Sequence, residues 1–313
     1  MGETKNYAVA IGGSNIDILA APKNKIISQD SNTAEISLSP GGVVRNISEN
    51  LSLLKSKCHL ISAFGKDEFG NYIKSRTISS GVSLKHSLTI SSDNTSSYLS
   101  VNDLKGEMSI AFNDTKILKN LTPNFLSTKY SLINNSSAII IDANLQDETL
   151  EYVFKNFKNN FIFADPVSLS KSKKLKKYIK SINVLKPNLD EAIILYNLKT
   201  KDNYFTEELS NELNKKNEGK LLISLGHKGV ISFHNKEIKK YKINKLSVKN
   251  SNGAGDALMA GLVHGHLKDW SWDYTVKFAI SMASIATQST ETVNPKTNQK
   301  NVINFLKENF ENG

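Results

Sequence analysis

Short apolar runs alternate with amphipathic stretches along most of the chain. The run YAVAIGG at 7–13 is followed at 43–56 by VVRNISENLSLLKS, in which apolar residues recur every three or four positions. A short continuous apolar run is typical of a strand buried on both faces, whereas the longer spacing predicts a helix with one buried face. The chain is therefore expected to begin with a buried strand and to continue, after an intervening segment, with an amphipathic helix.

The same alternation continues through the rest of the chain. Further strands are predicted at CHLISAFG, AIIID, FIFAD, INVLKP and KLLISLG, and further helices at DEFGNYIKSRTISSG, QDETLEYVFKNF, the lysine-rich run 171–180, NLDEAIILYNL and FTEELSNELNKK. Repeated strand and helix units indicate a mainly parallel sheet that is covered by helices on both faces. The expected fold class is therefore α/β, with a single domain over residues 1–313.

Two segments interrupt this alternation. Lys23 to Leu38 lacks a helical period, and SSYLSVNDLKGEMSIAF at 96–112 predicts two strands around a turn at NDLKGE. Together they predict a small β-sheet, formed from about 20–38 and 95–113, that is attached to the main domain as a lid. Segments of this length in compact folds are more often functional than idle.

Composition and charge exclude several classes of protein. The single cysteine, Cys58, excludes an internal disulfide and a cysteine-based metal cluster. No stretch of about 18 uncharged apolar residues occurs and the start does not resemble a secretion signal, so a cytoplasmic protein without membrane insertion is expected. The net charge is +10, but the basic run 171–180 spaces Leu175 and Ile179 as a helix does. It is interpreted as a solvated helix face, and no nucleic-acid partner is predicted.

The stretch NSNGAGDALMAG at 250–261 carries the strongest chemical signal. Gly253, Ala254 and Gly255 leave backbone N–H groups unobstructed where a helix begins, and such a helix start favours a bound phosphate. Asp256 follows directly, although a carboxylate repels a phosphate unless it serves to accept a proton. The stretch therefore indicates phosphoryl transfer. Alternatively, Asp256 caps the helix and the glycines form a tight turn.

This stretch resembles the second signature of the ribokinase-like, or PfkB, carbohydrate kinase family. PGGVVRNISENLSLLKSKCHLISAFGKDEFG resembles the first signature, KPNLDE resembles the family's Asn-x-x-Glu element, and SLGHKG resembles a loop at the nucleotide site. The resemblance covers essentially the whole chain. It implies a three-layer α/β/α domain with a mainly parallel central sheet and a small β-sheet lid, and an ATP-dependent kinase that acts on a small sugar or nucleoside.

The resemblance also implies roles for individual residues. Asp256 would be the catalytic base, beside an anion hole formed by Gly253, Ala254 and Gly255. The implied substrate-binding residues are Asn15, Asp17, Gly41, Gly42 and Asn46. The implied nucleotide-binding residues are Asn188, Ser224, Gly226 and Gly229. Asn188 and Glu191 would organise Mg²⁺ and the ATP phosphates through waters.

Two positions depart from the family pattern. Asn250 stands where many members have an aspartate that helps to hold K⁺, which places a monovalent-cation requirement in question. Val43 stands where ribokinases often carry a lysine, which argues against a plain ribokinase.

The nicotinamide dehydrogenases are excluded because GGSNID, after the first strand, is not the Gly-x-Gly-x-x-Gly turn that they need.

Within the family, softer similarities resemble the pseudouridine kinases, notably in SYLSVNDLKGEMSIAFND, DANLQDETLEYV and DPVSLSKSKKLKK. They imply phosphorylation of the 5′-hydroxyl of pseudouridine, with a homodimer as a possible assembly. In the lid, Tyr98, Met108 and Phe112 could face the base, beside Ser97, Asn113 and Asp114. The alternatives are another kinase of the family, acting on ribose, adenosine or a 2-keto-3-deoxy sugar, and a non-catalytic ligand-binding protein.

Overall fold

A computed structural model describes residues 6–198, 213, 219–243 and 246–310. The helix predicted at FTEELSNELNKK lies outside these residues except for Leu213. The strands are β1 Ala8–Ile11, β2 Asn15–Pro22, β3 Ala34–Gly41, β4 Cys58–Ile61, β5 Ala63–Gly65, β6 Leu88–Ile90, β7 Ser97–Asn102, β8 Met108–Asp114, β9 Ala138–Asp142, β10 Ile162–Asp165, β11 Val184–Leu185, β12 Lys220–Ser224, β13 Val230–His234 and β14 Glu237–Tyr241.

The helices alternate with these strands over much of the chain. They are α1 Val43–Leu53, α2 Glu68–Ser79, α3 Pro123–Ser127, α4 Tyr130–Asn134, α5 Asp147–Asn156, α6 Leu169–Ser172, α7 Leu189–Tyr196, α8 Ala254–Leu267, α9 Trp272–Ala286 and α10 Gln299–Phe310. Short 3₁₀ segments lie at Lys116–Asn120, Lys173–Ser181 and Gly226–Lys228. No helix in the described part of the chain is long and apolar enough to cross a membrane.

The main sheet has the strand order β14-β13-β12-β11-β10-β9-β1-β4. The pairs from β4 to β12 are parallel, and β13 and β14 add an antiparallel edge. Its strands are buried on both faces, as alternate residues show: Val9 and Ile11 of β1 belong to one apolar core, and Ala8 and Ala10 belong to the other. Helices α3, α5 and α7 cover the first face, and α1, α8, α9 and α10 cover the second. The α/β/α fold class expected from the sequence is confirmed.

Two predicted elements differ in detail. CHLISAFG was expected to form one strand, but it divides at Ser62, whose hydroxyl donates to the carbonyl of Gly12 at 2.7 Å. After this residue β5 leaves the main sheet and pairs with β6. The lysine-rich run 171–180 is wound mostly as a 3₁₀ segment, preceded by α6, rather than as an α-helix. Leu175 and Ile179 are nevertheless buried in it.

A second sheet of four strands, in the order β3-β2-β7-β8, is separate from the main sheet. We call it the lid sheet. It begins at Asn15, before the residue near 20 that the sequence suggested, because β2 and β3 pair along their whole length. One face of the lid sheet exposes apolar side chains to solvent. These are Ile36, Leu38, Ile110 and Phe112, and each is between 49% and 67% exposed.

Helices α8 and α9 pack against each other very closely. A Cβ atom added to Gly261 would lie 2.5 Å from the Cα of Ala279, and one added to Gly265 would lie 2.5 Å from the side chain of Thr275. The two glycines of α8 therefore let the backbones of the two helices approach each other. Gly253 precedes α8 with a φ of 78°, and a Cβ there would lie 2.0 Å from the carbonyl oxygen of Thr292.

Candidate active site

Polar side chains collect at the carboxyl edge of the parallel strands. Asp142 ends β9, Asp165 ends β10 and Lys186 follows β11. These three strands are neighbours in the sheet, so their carboxyl ends meet at one edge. Asp142 is buried and accepts hydrogen bonds from the backbone N–H groups of Gly13 and Asn144, at 2.9 and 3.0 Å. Burial raises the pKa of its carboxyl group.

Lys186 and Asp165 were not among the residues singled out in the sequence. The Lys186 Nζ atom lies 3.0 Å from Asp165 Oδ2, and both side chains are 7% exposed. A Cβ on Gly255 would lie 3.0 Å from the same Nζ atom, so this ammonium group is next to the start of α8. Both residues stand at the carboxyl ends of predicted strands, FIFAD and INVLKP, and that position was the signal that could have identified them.

Asp256 lies in the first turn of α8 with Ala254 and Gly255, and Gly253 precedes the helix as its N-cap. Helix geometry leaves the N–H groups of Gly255 and Asp256 without an acceptor inside the helix. The left-handed backbone of Gly253 lets the chain turn into the helix with no side chain in the way. Gly253, Ala254 and Gly255 thus form a helix start of the kind that suits an anion, and the Asp256 carboxylate lies beside it.

The surroundings of Asp256 change its proton affinity. Burial and the nearby charge of Asp165 raise its pKa from 3.8 to about 7. The amide of Asn46, which donates to Asp256 Oδ2 at 2.8 Å, and the charge of Lys186 act in the opposite direction. A carboxylate with a pKa close to neutral is well suited to accept a proton from a hydroxyl group.

Asp17 and Asn15 lie on β2, at the end of the lid sheet nearest the main sheet. The Nδ2 group of Asn15 donates to Oδ1 of Asp17. Burial raises the pKa of Asp17 to about 6, although Asn15 and Arg45 act to lower it. Gly41 pairs with Asn15 on the neighbouring strand, and a Cβ on Gly41 would be 2.3 Å from the Asp17 carboxylate. The carboxylate therefore occupies space that only a glycine at 41 leaves open.

Gly42 and Asn46 belong to the start of α1. Gly42 caps the helix with a φ of 101°, and a Cβ there would be 2.4 Å from the carbonyl oxygen of Gly13. The side chain of Asn46, implied to hold the substrate, contacts the implied base Asp256 directly. The charge of Asp17 also raises the pKa of Asp256. The residues implied for the substrate and the residue implied as the base therefore lie in one connected group.

Asn188 and Glu191 form a reciprocal cap at the start of α7. The Glu191 N–H group donates to Asn188 Oδ1, and the Asn188 N–H group donates to Glu191 Oε2, both at 2.9 Å. Glu191 is nevertheless buried, and burial together with the charge of Asp165 raises its pKa. Glu191 and Asp165 offer oxygen donors of the kind that Mg²⁺ prefers. Within the described residues, no group of three or more His, Cys, Asp or Glu side chains is arranged to hold a metal.

The loop after β12 holds the residues implied for the nucleotide. Ser224 pairs with Asn188 through an isolated bridge, which places this loop beside the start of α7. Gly226 and Gly229 have φ values of 59° and 100°, and a Cβ on Gly229 would lie 2.0 Å from the carbonyl oxygen of Tyr241. Glycine is therefore required at 229 both for backbone conformation and for space.

The side chain of Asn250 is engaged in local hydrogen bonds. Its Nδ2 group donates to the carbonyl oxygen of Thr290 at 3.0 Å, and its Oδ1 atom accepts from the N–H group of Asn252 at 2.9 Å. These bonds occupy the amide that stands in place of the family's aspartate.

The register of the lid sheet shows which of the residues proposed to contact a base point to the same face of the sheet. Asp17 pairs with Tyr98, and Tyr98 pairs with Asn113, so these three side chains point to the same face. Tyr98 also donates from its hydroxyl to the sulfur of Met108 at 3.1 Å. Phe112 is one residue out of step with Asn113 and points to the opposite face, as do Ser97 and Asp114.

Comparison with known proteins identifies the family of the chain. Residues 5–299 match the pfkB family of carbohydrate kinases. The chain belongs to the pfkB family and is a phosphotransferase. Pseudouridine kinase from Escherichia coli strain K12 is 35% identical over 303 residues, which are 96% of this chain and 97% of that protein. The resemblance found in the sequence is therefore confirmed.

More distant relatives support the fold. Pseudouridine kinase from Arabidopsis thaliana is 27% identical over 207 residues, which are 65% of this chain and 54% of that protein. Ribokinase from Arabidopsis thaliana, solved in complex with ribose and ATP, superposes with a TM-score of 0.84 at 19% identity and covers 96% of this chain and 98% of that one. Ribokinase from Thermotoga maritima also gives a TM-score of 0.84, at 18% identity, covering 96% of this chain and 99% of that one.

Proposed function

We propose that the protein transfers the γ-phosphoryl group of ATP to the 5′-hydroxyl of pseudouridine, which yields pseudouridine 5′-phosphate and ADP in the cytoplasm. The observation that carries this proposal is the 35% identity with the E. coli pseudouridine kinase over 96% of the chain. The site supports it because a carboxylate with a raised pKa, Asp256, stands at a helix start that is suited to a phosphate.

In the proposed reaction Asp256 accepts the proton of the 5′-hydroxyl. The 5′-oxygen forms a bond to the γ-phosphorus while the bond from that phosphorus to the bridging oxygen of ADP breaks. The proton stays on the Asp256 carboxylate until it is lost to solvent. The N–H groups of Gly255 and Asp256 stabilise negative charge on the transferred group, and they need no reorganisation because the helix holds them in place.

ATP and Mg²⁺ are the proposed cofactors. The nucleotide would lie along the loop that contains Ser224, Gly226 and Gly229, beside Asn188. Glu191 would orient waters of a bound Mg²⁺, and the ion would neutralise charge on the phosphates. We include no monovalent cation, because the Asn250 side chain lacks the negative charge of the aspartate that it replaces.

The lid sheet would hold the nucleoside. Asp17 is able to accept from two sugar hydroxyls. Tyr98 and Asn113 share its face, which offers an aromatic ring and an amide to the base. Closure of the lid over the site would exclude water, which competes as an acceptor.

A coupled ADP-release assay tests the proposal. Pseudouridine, uridine, adenosine, ribose and fructose 6-phosphate are compared as acceptors. Pseudouridine has a ring N–H group where uridine has C–H, so a site that accepts from this group leaves a buried acceptor unpaired with uridine. We expect kcat/KM for pseudouridine to exceed that for uridine by at least ~10-fold. A preference for any of the other four acceptors would refute the substrate assignment.

We also propose a homodimer formed through the apolar face of the lid sheet. Ile36, Leu38, Ile110 and Phe112 give this face more exposed apolar surface than scattered single residues would. Light scattering after size-exclusion chromatography should give twice the chain mass for the native protein and the single chain mass for Ile110→Asp. A monomeric native protein would refute the dimer.

A further inference from the structure

Arg45 contacts the candidate base only through another side chain. Its Nη1 group donates to Oδ1 of Asn46 at 2.8 Å, and the Nδ2 group of Asn46 donates to Oδ2 of Asp256 at 2.8 Å. We propose that Arg45 is a positioning residue, which orients the Asn46 amide so that its N–H group faces the Asp256 carboxylate. This inference rests on the proposed kinase function.

The chemistry of the two groups accounts for this role. The two ends of an asparagine amide have nearly the same shape, and its orientation is decided by its hydrogen-bond partners. A guanidinium group only donates, so the end that faces Arg45 must be the oxygen. The NH₂ end is then left to face Asp256. In the reversed orientation the amide oxygen would face a carboxylate, and two hydrogen bonds would be lost.

Arg45 is held in place well enough to perform this task. It is 3% exposed, and its guanidinium pairs with Glu49 one turn further along α1. It also donates from Nε to Thr77 Oγ1 and from Nη1 to the carbonyl oxygen of Pro40, both at 3.2 Å. Partners on α1, on α2 and at the end of the lid strand β3 therefore fix the guanidinium.

The oriented amide affects the reaction through proton affinity. Asp256 is faced by the charges of Asp165, Lys186 and Asp17 and by the Asn46 amide. Of these groups, Asp165 and Asp17 raise the pKa of Asp256, and Asn46 and Lys186 lower it. Loss of the donated N–H group would leave a larger fraction of Asp256 protonated at neutral pH and therefore unable to accept the hydroxyl proton.

A double-mutant cycle tests the inference. Arg45→Gln places a side chain at 45 that is able both to donate and to accept, so it no longer dictates the orientation of Asn46. We expect kcat to fall about 10-fold and the acid limb of the pH–rate profile to move up by roughly one pH unit, with a smaller change in the acceptor KM. In the Asn46→Ala background the same substitution should change kcat and the profile by less than about 2-fold. Equal effects of Arg45→Gln in both backgrounds would refute the inference.

Controls separate this role from a loss of folding. Ser48→Ala removes another buried hydrogen bond of α1, from Ser48 to the carbonyl oxygen of Val44, and should leave the pH profile unchanged. A pH profile shifted by Ser48→Ala as much as by Arg45→Gln would refute the inference.

If Arg45→Gln does not fold, Arg45→Lys replaces it. Lysine also only donates, so kcat should stay closer to the native value while the acid limb keeps its native position. Failure of the native protein to phosphorylate any acceptor would instead refute the proposed function.

Discussion

Lys186 and Asp165 form a buried ion pair at the carboxyl edge of the sheet, with 3.0 Å between Nζ and Oδ2. Burial alone would lower the pKa of Lys186, but the charges of Asp165, Glu191 and Asp256 raise it above its ordinary value. One ammonium group thus faces three carboxyl groups in a confined space. Lys186 is the group in this set that keeps the carboxylates from repelling one another.

The first prediction concerns this pair. Lys186→Met should lower the free energy of unfolding by about 3–5 kcal/mol, because it leaves buried carboxylates without their counter-ion. The double variant Lys186→Met/Asp165→Leu should recover most of that loss. Urea unfolding of both variants measures the effect. Lys173→Met, at an exposed lysine, is the control and should change stability by less than about 0.5 kcal/mol. An equal loss in the single and double variants would contradict the prediction.

The second prediction concerns the candidate base. Asp256→Asn keeps the size of the side chain but removes its capacity to accept a proton, so kcat should fall by roughly 10²-fold or more. Nucleotide affinity, measured by isothermal titration calorimetry, should change little. Asp269→Asn, at an exposed aspartate beyond the other end of α8, should keep native turnover. Near-native turnover of Asp256→Asn would show that Asp256 is not the base.

The third prediction links the same residue to stability. The pKa of Asp256 is about 7 in the folded protein and close to 3.8 in the unfolded chain, so the folded state binds the proton more tightly. The ionised carboxylate therefore destabilises the fold, increasingly as pH rises from about 4 to 7 and by a constant amount above that range. Asp256→Asn should raise Tm, with a gain that grows over the same range. Thermal unfolding at pH 4, 5.5, 7 and 8 measures it, and a gain independent of pH would contradict the assignment.

The fourth prediction concerns the acceptor site. Asp17→Ala should raise the acceptor KM by at least ~10-fold, since substrate hydroxyls lose a charged partner worth about 1–3 kcal/mol. The KM for ATP should stay close to native. Asp17→Asn should in addition move the acid limb of the pH–rate profile downward, because the charge of Asp17 raises the pKa of Asp256. Equal changes in both KM values would indicate a structural role instead.

The strands of the main sheet were predictable because their apolar runs are continuous. AIIID forms β9 as expected, and every residue in it is buried. The division of CHLISAFG was not predictable, because it depends on contacts that are distant in sequence, such as the bond from Ser62 to Gly12. The early start of the lid sheet at Asn15 likewise depends on pairing with Gly41, 26 residues away.

In the candidate site, too, some residues were predictable from local sequence and others were not. Asp256 was predictable because glycines and a carboxylate at a helix start form a local pattern. Asp165 and Lys186 were missed because each looks, in sequence, like an ordinary charge at the end of a strand. Only the strand order brings β10 and β11 side by side and pairs the two residues. The pairing of Asn46 with Asp256 spans 210 positions and has no local signal.

The glycine contacts between α8 and α9 have a consequence for motion. Gly261 and Gly265 bring two backbones together with no side chain between them, so α8 has little freedom to slide or tilt against its neighbour. Its first turn, which carries the proposed anion hole, is therefore held in place before any substrate arrives. We therefore expect any movement during the proposed reaction to occur in the lid sheet. Substitutions that loosen the contact between α8 and α9 should slow phosphoryl transfer itself rather than weaken substrate binding.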